Sequence, residues 1–398
     1  MYVPPPAALT HRLWACLPAC LPACPTAMRC SNEQIKAPQT ICRDRQAAQG
    51  AQLYTQLARL YPDSSSRPRL LGPDAGGAIS PEYMQKLAES GASLFAYTYH
   101  EYSLSRDLNR SSSIAPSQLM TVSKCERKTK GLSVGTKGLP FHSTVQLWAG
   151  EAGGSGGGGL PNLTNSFVSG IWYLDSLGLY ASTGTQVFCR QDLVGGFYGL
   201  LEDGCPFAGL DPRAPECTFY PPVPNPDYFA ALAWKKTMGR RVLRATVRSA
   251  DVDGDAGPYL RSYAHCSPPT VGPTVAQADA ASTRGRGGGG VSFVLINTHS
   301  SSAINVSMGM ALSKLQRLEW HFTSPGGGQG KLSMLNGVPL KISSNGSSGG
   351  WQLPSLAGVE AAGTDALVIQ PGSYSFVSYP HADVVACKSD AAPGMLRE

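Results

Sequence analysis

Glu151 is the residue of this chain best placed to do chemistry. A hydrophobic stretch (Val145, Leu147, Trp148) leads through Ala149-Gly150 into this carboxylate, and Ala152-Gly153-Gly154-Ser155 and a run of four glycines follow it. In a parallel α/β barrel, catalytic groups sit where a strand ends and its loop begins. Glycines after such a group leave bare backbone for a bulky ligand to lie against. The same residues also read as an ordinary strand terminus with a Gly/Ser loop. A single carboxylate does not cleave a glycoside, because that reaction needs a second carboxyl group, one acting as acid and the other as nucleophile or base. Asn32-Glu33 is the candidate partner upstream. There the asparagine can hydrogen-bond a sugar hydroxyl while the glutamate protonates the leaving oxygen. The two groups need unequal environments, since the acid must hold its proton while the nucleophile stays ionised.

The elements that would position these groups alternate between strand and helix. Residues 46–60 repeat apolar positions at helical spacing, and 69–74 read as a short buried strand ending in a turn. Ser80-Pro81-Glu82 is a helix start, with a capping serine and proline at the first helical position. Further strands are expected at 93–97, 145–148 and 185–188, and helices at 166–177 and 225–238. Asp74, then His100 and Tyr102, then Glu151, then Gln191 follow four successive strand ends, as the active face of a barrel requires. Two strand–helix units separate Glu33 from Glu151, the interval between an acid on the fourth strand and a nucleophile on the seventh of a retaining barrel glycosidase. After Gly239 the texture changes to strand-like runs at 242–247, 291–297, 304–308, 318–322, 332–335 and 366–379, separated by Gly, Ser and Pro clusters, which reads as an all-β sandwich.

Composition narrows the function. The chain has 398 residues, 45 of them Gly and 31 Pro, a charged fraction of 15% and a net charge of +6. The basic excess is scattered, with no basic run interleaved with aromatics, so nucleic acid is not the expected partner and an acidic glycan is compatible. No apolar stretch reaches the length of a transmembrane helix. Four N-x-S/T sequons, at Asn109, Asn162, Asn305 and Asn345, together with paired distal cysteines among the 11 in the chain, point to a secreted protein. Residues 1–31 do not read as a signal peptide: Pro18, Pro22 and Pro25 interrupt any helical apolar region, and the stretch is left unassigned as low-complexity sequence.

The segment from Leu147 to Leu201 (LWAGEAGGSGGGGLPNLTNSF through CRQDLVGGFYGLL) resembles the heparanase-like enzymes of glycoside hydrolase family 79. PNPDYFAALAWKKTMG, LLGPD, TYHEYSL, SYAHC, EWHFTSP, LNGVPL and SYSFVSYPHADVVAC extend the resemblance over about residues 32–388 and look most like the plant branch. The resemblance implies Glu151 as nucleophile, Glu33 as acid/base preceded by Asn32, and His100 and Tyr102 at the sixth strand end, with Tyr102 orienting the nucleophile. It further implies Gly157 and Gly158 as backbone donors to a uronic carboxylate, Gln191 and Tyr198 as substrate contacts, and a disulfide between Cys266 and Cys387.

The expected fold is therefore α/β plus all-β: residues 1–31 unassigned, 32–239 the C-terminal half of a (β/α)8 TIM barrel, and 240–398 a β-sandwich domain. Only the second half of a barrel is present, so the chain reads as N-terminally incomplete. The expected function is a retaining β-glucuronidase cleaving glucuronate-containing glycans, such as glucuronate caps on arabinogalactan-type glycans, through a covalent intermediate. It would need no metal or other cofactor. The alternative is an inactive glycan-binding or structural remnant of the same fold. The expected partner is an acidic glycan or proteoglycan substrate. The expected location is extracellular, in a wall, or in a vacuole or lysosome, with peripheral rather than integral membrane association.

Overall fold

The computed structural model describes residues 14–16, 39–75, 81–89, 91–92, 94–104, 144–202, 223–248, 259–269, 271, 289–344 and 351–388. The chain divides into two compact units, the first comprising Met1–Glu101, Ser123–Ala152 and Thr185–Cys189, the second Tyr102–Val122, Gly153–Gly184 and Arg190–Glu398.

A five-stranded sheet organises the first unit: β1 (Trp14–Cys16), β2 (Arg69–Ala75), β3 (Ala96–Tyr102), β4 (Gln146–Gly153) and β5 (Val187–Arg190), in that spatial order. β1 runs parallel to β2, and β2 to β3. Helix α1 (Gln39–Leu60) connects the first pair and α2 (Pro81–Glu89) the second, as crossovers between parallel neighbours do. The strands start in step: Phe95 N donates to Leu70 O (2.8 Å), Gln146 N to Phe95 O (3.0 Å) and Gln186 N to Leu147 O (2.9 Å). β3 is buried on both faces from Ala96 to Tyr99, as an interior strand of a covered parallel sheet should be. α2 buries Tyr83, Met84 and Leu87 on one stripe, and the Tyr83 ring meets Tyr97 edge-on at 6.5 Å.

Two differences from the sequence reading stand out in this unit. The strands expected at 93–97 and 145–148 run on to Tyr102 and Gly153. His100 and Glu151 therefore lie in the last residues of the pleat, not in the loops beyond it. The backbone keeps its hydrogen bonds after side chains turn polar, so a hydrophobicity pattern ends a strand too early. In addition, Trp14–Cys16, within the segment left unassigned, pairs with Arg69–Leu71.

The second unit holds helices α3 (Phe167–Ser182) and α4 (Pro226–Thr237) and an eight-stranded sheet. At its centre lie Arg317–Thr323, Ser373–Tyr379, Val291–Asn297 and Leu260–Cys266, each antiparallel to the next. One face presents Val294, Ile296, Trp320, Phe322 and Phe376 to Phe167, Ile171 and Leu174 of α3 and to Phe229, Ala230 and Ala233 of α4. The other face presents Val291, Leu295, Val377 and Tyr379 to Leu367 and Ile369, which belong to a two-stranded ribbon formed with Ile304–Val306. Helices expected in the 32–239 segment thus share one core with strands of the 240–398 segment. α3 approaches the sheet closely: a Cβ on Gly178 would fall 2.1 Å from Tyr263 Cγ. There Asp175 accepts hydrogen bonds from Tyr263 Oη (2.7 Å) and Arg261 Nη2 (3.0 Å). Cys266 and Cys387, 121 residues apart, form a disulfide. The single strand expected over 366–379 is two, Leu367–Ile369 and Ser373–Tyr379, broken at Pro371-Gly372, where Gly372 takes φ +56°. Leu260–Cys266 was not expected as a strand.

A polar row crosses this sheet. Arg317 Nε donates to Glu319 Oε1 (2.5 Å), and His321 lies between Glu319 Oε2 (2.5 Å) and Ser375 Oγ (2.8 Å). Burial pushes the Glu319 carboxyl up, but the hydrogen bonds and charges of His321 and Arg317 outweigh it and hold the group below its ordinary value. A carboxyl depressed in the folded state contributes stability above its unfolded pKa and loses it as pH falls through the folded value. Urea titrations below about pH 4.5, the ordinary glutamate value, should therefore show the wild type losing stability more steeply than Glu319→Gln; parallel acid limbs would contradict the assignment.

Candidate active site

Three polar side chains converge at the carboxyl ends of β2, β3 and β4 in the first unit. His100 Nε2 stands 3.4 Å from Asp74 Oδ1 and 3.6 Å from Glu151 Oε2. These separations exceed a good hydrogen bond but lie within ion-pair range. The Glu151 side chain retains 36% of its exposure, His100 21% and Asp74 33%, so Glu151 is supported on one side and open on another, as a nucleophile must be. Asp74 sits in the left-handed region at φ +57°, which Asp and Asn tolerate best among residues with a side chain. Gly150 makes room for it: a Cβ there would come 2.2 Å from Asp74 Oδ1 and 3.1 Å from Thr98 Cβ. Glycine inside a strand marks such a close approach. Deeper on β3, Tyr99 Oη lies 3.0 Å from Thr185 Oγ1, tying β3 to the start of β5 beneath the cluster.

Within the second unit, Tyr102, Gln191 and Tyr198 come together. The rings of Tyr102 and Tyr198 lie 6.3 Å apart and tilted by 39°, and Gln191 Nε2 points to Tyr198 Oη at 3.5 Å. A Cβ on Gly153 would strike Tyr102 Cε1 at 2.7 Å, so the tyrosine ring packs against the bare backbone at the end of β4. Gly157 and Gly158 take φ +69° and +90°, and Gly158 O accepts a hydrogen bond from Phe197 N at 2.6 Å, which joins the glycine loop to the loop carrying Tyr198.

Arg190 pins that loop. Its Nη2 donates to Tyr198 O (2.7 Å) and to Asp227 Oδ2 (2.7 Å), and its Nη1 donates to Gln191 O. Its guanidinium lies over Trp172 and Tyr173, 5.4 and 5.3 Å from the ring centroids. Asp227, fully buried in the first turn of α4, also accepts from Ser169 Oγ at 3.0 Å. Burial pushes the Asp227 carboxyl up, opposed by the charge and hydrogen bond of Arg190.

Asn32 and Glu33 lie outside the described residues, as do the sequon residues Asn109 and Asn345. Asn162 and Asn305 are exposed, as glycan carriers must be. Asp74 was recognised in the sequence only as a strand-end polar group, and its relation to His100 was not. The signal was Gly150, a glycine in a strand directly before the candidate nucleophile. Arg190 and Asp227 were missed altogether. Among the described residues no group of three or more His, Cys, Asp or Glu side chains is arranged to hold a metal ion, and no helix is long and apolar enough to cross a membrane.

Solved structures similar to this chain include an α-L-arabinofuranosidase from Thermotoga maritima (TM-score 0.52, 13% identity, 84% of this chain and 62% of that one). Another is a 4-O-α-L-rhamnosyl-β-D-glucuronidase from Fusarium oxysporum (TM-score 0.51, 13% identity, 83% and 63%). At that identity the likeness concerns the fold, which is of the TIM-barrel glycosidase type. Residues 31–178 match the N-terminal domain of glycosyl hydrolase family 79. Heparanase-like protein 1 of Arabidopsis thaliana is 32% identical over 358 residues, covering 81% of this chain and 56% of that protein. Baicalin-β-D-glucuronidase of Scutellaria baicalensis is 28% identical over 343 residues, covering 85% and 55%. Mouse heparanase is 26% identical over 347 residues, covering 84% and 56%. Residues 31–178 thus carry the match to family 79, and the chain as a whole is similar to heparanase-like proteins. It spans about half the length of the curated relatives it matches.

Proposed function

We propose that this protein acts as a retaining β-glucuronidase on glucuronate-containing glycans, with Glu151 as nucleophile and Glu33 as acid/base. The observation that carries the reading is Glu151 itself: a half-exposed carboxylate at the carboxyl end of β4 with the His100 imidazole 3.6 Å away, in a chain that matches this family. Glu151 would attack the anomeric carbon while Glu33 protonates the leaving oxygen. Water, deprotonated by Glu33, would then release the sugar from the glucuronyl–Glu151 ester. Retention requires the two carboxyls about 5 Å apart. Tyr102, Gln191 and Tyr198 would contact the sugar, and the backbone of Gly157 and Gly158 its carboxylate. The barrel portion within 32–239 and the β-sandwich reading of 240–398 belong to the same proposal. So does an extracellular or vacuolar location, which the disulfide and the exposed sequons favour.

The test is the stereochemistry of the first product. Incubation with 4-methylumbelliferyl β-D-glucuronide, followed by proton NMR of the anomeric signal, should show β-glucuronic acid appearing before mutarotation. The α-anomer first would contradict the retaining mechanism. No hydrolysis by folded protein would favour a non-catalytic glycan-binding role.

A further inference from the structure

We propose that Asp74 is a positioning residue for this reaction, acting on Glu151 through His100. The inference rests on the reading of Glu151 as nucleophile. Asp74 Oδ1 is shielded from solvent and has no hydrogen-bond partner among the described residues. His100 Nε2 stands 3.4 Å from it. The same nitrogen faces Glu151 Oε2 at 3.6 Å. The same imidazole nitrogen is thus shared by two carboxylates from two different strands, Asp74 of β2 and Glu151 of β4.

Two features of the chain maintain this arrangement. The left-handed backbone at Asp74 (φ +57°) sets the direction in which its short side chain leaves β2. Gly150, adjacent to Glu151, omits the Cβ that would occupy the carboxylate's position 2.2 Å away. A side chain at 150 would displace Asp74 and touch Thr98 as well. Asp74 therefore holds the imidazole against rotation, and the imidazole holds the Glu151 carboxylate in the attacking geometry. Groups that orient a metal-ligating histidine commonly contribute about 10–100-fold, and an effect of that order is expected where a carboxylate orients a histidine beside a nucleophile.

Asn is the informative substitution, because it keeps the shape and tolerates the left-handed backbone while removing the charge. The full chain would be treated with a cyclophellitol of glucuronic configuration and the saturation kinetics of labelling followed. In Asp74→Asn the maximal labelling rate should fall roughly 10–100-fold with little change in the half-saturating concentration. Gly150→Ala should do the same by displacing Asp74. In a His100→Ala background, Asp74→Asn should add less than about two-fold, the non-additivity of residues acting in series. Full additivity would overturn the proposal. Ring 15N NMR at fixed pH provides a readout that needs no activity: Asp74→Asn should move the Nε2 resonance of His100 and leave those of His265 and His321 in place. An unmoved His100 resonance overturns the proposal even if labelling slows. If the wild type takes no label while the His100 resonance moves, the nucleophile reading has failed and the Asp74–His100 link stands.

Discussion

Glu151→Gln should abolish turnover of aryl β-glucuronides, with kcat falling on the order of 10⁴–10⁶-fold, the scale on which removal of a covalent nucleophile acts. Gln matches Glu in size, so the pleat of β4 and the burial of Ala149 and Ala152 beside it are undisturbed and the protein should melt as the wild type does. What is lost is the negative charge that, in the proposed mechanism, attacks the anomeric carbon, and an amide cannot replace it. KM should change little, because the contacts assigned to the sugar (Gln191, Tyr198 and the glycine loop) are untouched. A loss smaller than ten-fold would mean that Glu151 assists the reaction without forming a bond.

The largest stability effect should follow from Arg190→Met. Arg190 is the buried partner of a fully buried carboxylate, with side-chain exposures of 5% for Arg190 and 0% for Asp227. Removing one member of such a pair leaves the other uncompensated and typically costs about 3–5 kcal/mol. Ser169 Oγ would remain as a side-chain donor to Asp227 Oδ2. The pH dependence gives the effect a signature. Burial already pushes the Asp227 carboxyl above its ordinary value, with Arg190 acting in the opposite direction, so the variant should raise it further. An acid raised in the folded state contributes stability below its unfolded pKa and loses it as pH rises through the folded value. The deficit should therefore be small near pH 4 and grow towards neutrality, and Arg190→Met/Asp227→Asn should recover part of it. A deficit independent of pH would point to lost stacking on Trp172 and Tyr173 instead. Because Arg190 also holds the carbonyls of Gln191 and Tyr198, the single variant should raise KM for glucuronides as well.

The alternation of strands and helices was legible because it rests on local rules. The proline of Ser80-Pro81-Glu82 opens α2, and the hydrophobic run before Glu151 lies in β4. What escaped the sequence was non-local. Leu260–Cys266 carries Arg261 and His265, which argue against a core strand until Asp175 on α3, 86 residues away, is seen to accept the arginine, and Gly239 O to meet the His265 ring at 2.6 Å. Arg190 and Asp227 read separately as a strand-end cation and a helix-start acid, and only the packed unit makes them a pair. Asp74 acquires its meaning from Gly150, a residue 76 positions later whose lack of a side chain leaves the space the carboxylate occupies. The Cys266–Cys387 link followed from the family resemblance, because spacing alone cannot select one pairing among 11 cysteines.

The most direct measurement is peptide mass mapping after labelling with glucuronic-configured cyclophellitol. The predicted result is a single adduct on the peptide containing Glu151, absent in Glu151→Gln and blocked by excess glucuronide. An adduct on another carboxylate, or none on folded protein, would contradict the assignment of Glu151 as the nucleophile.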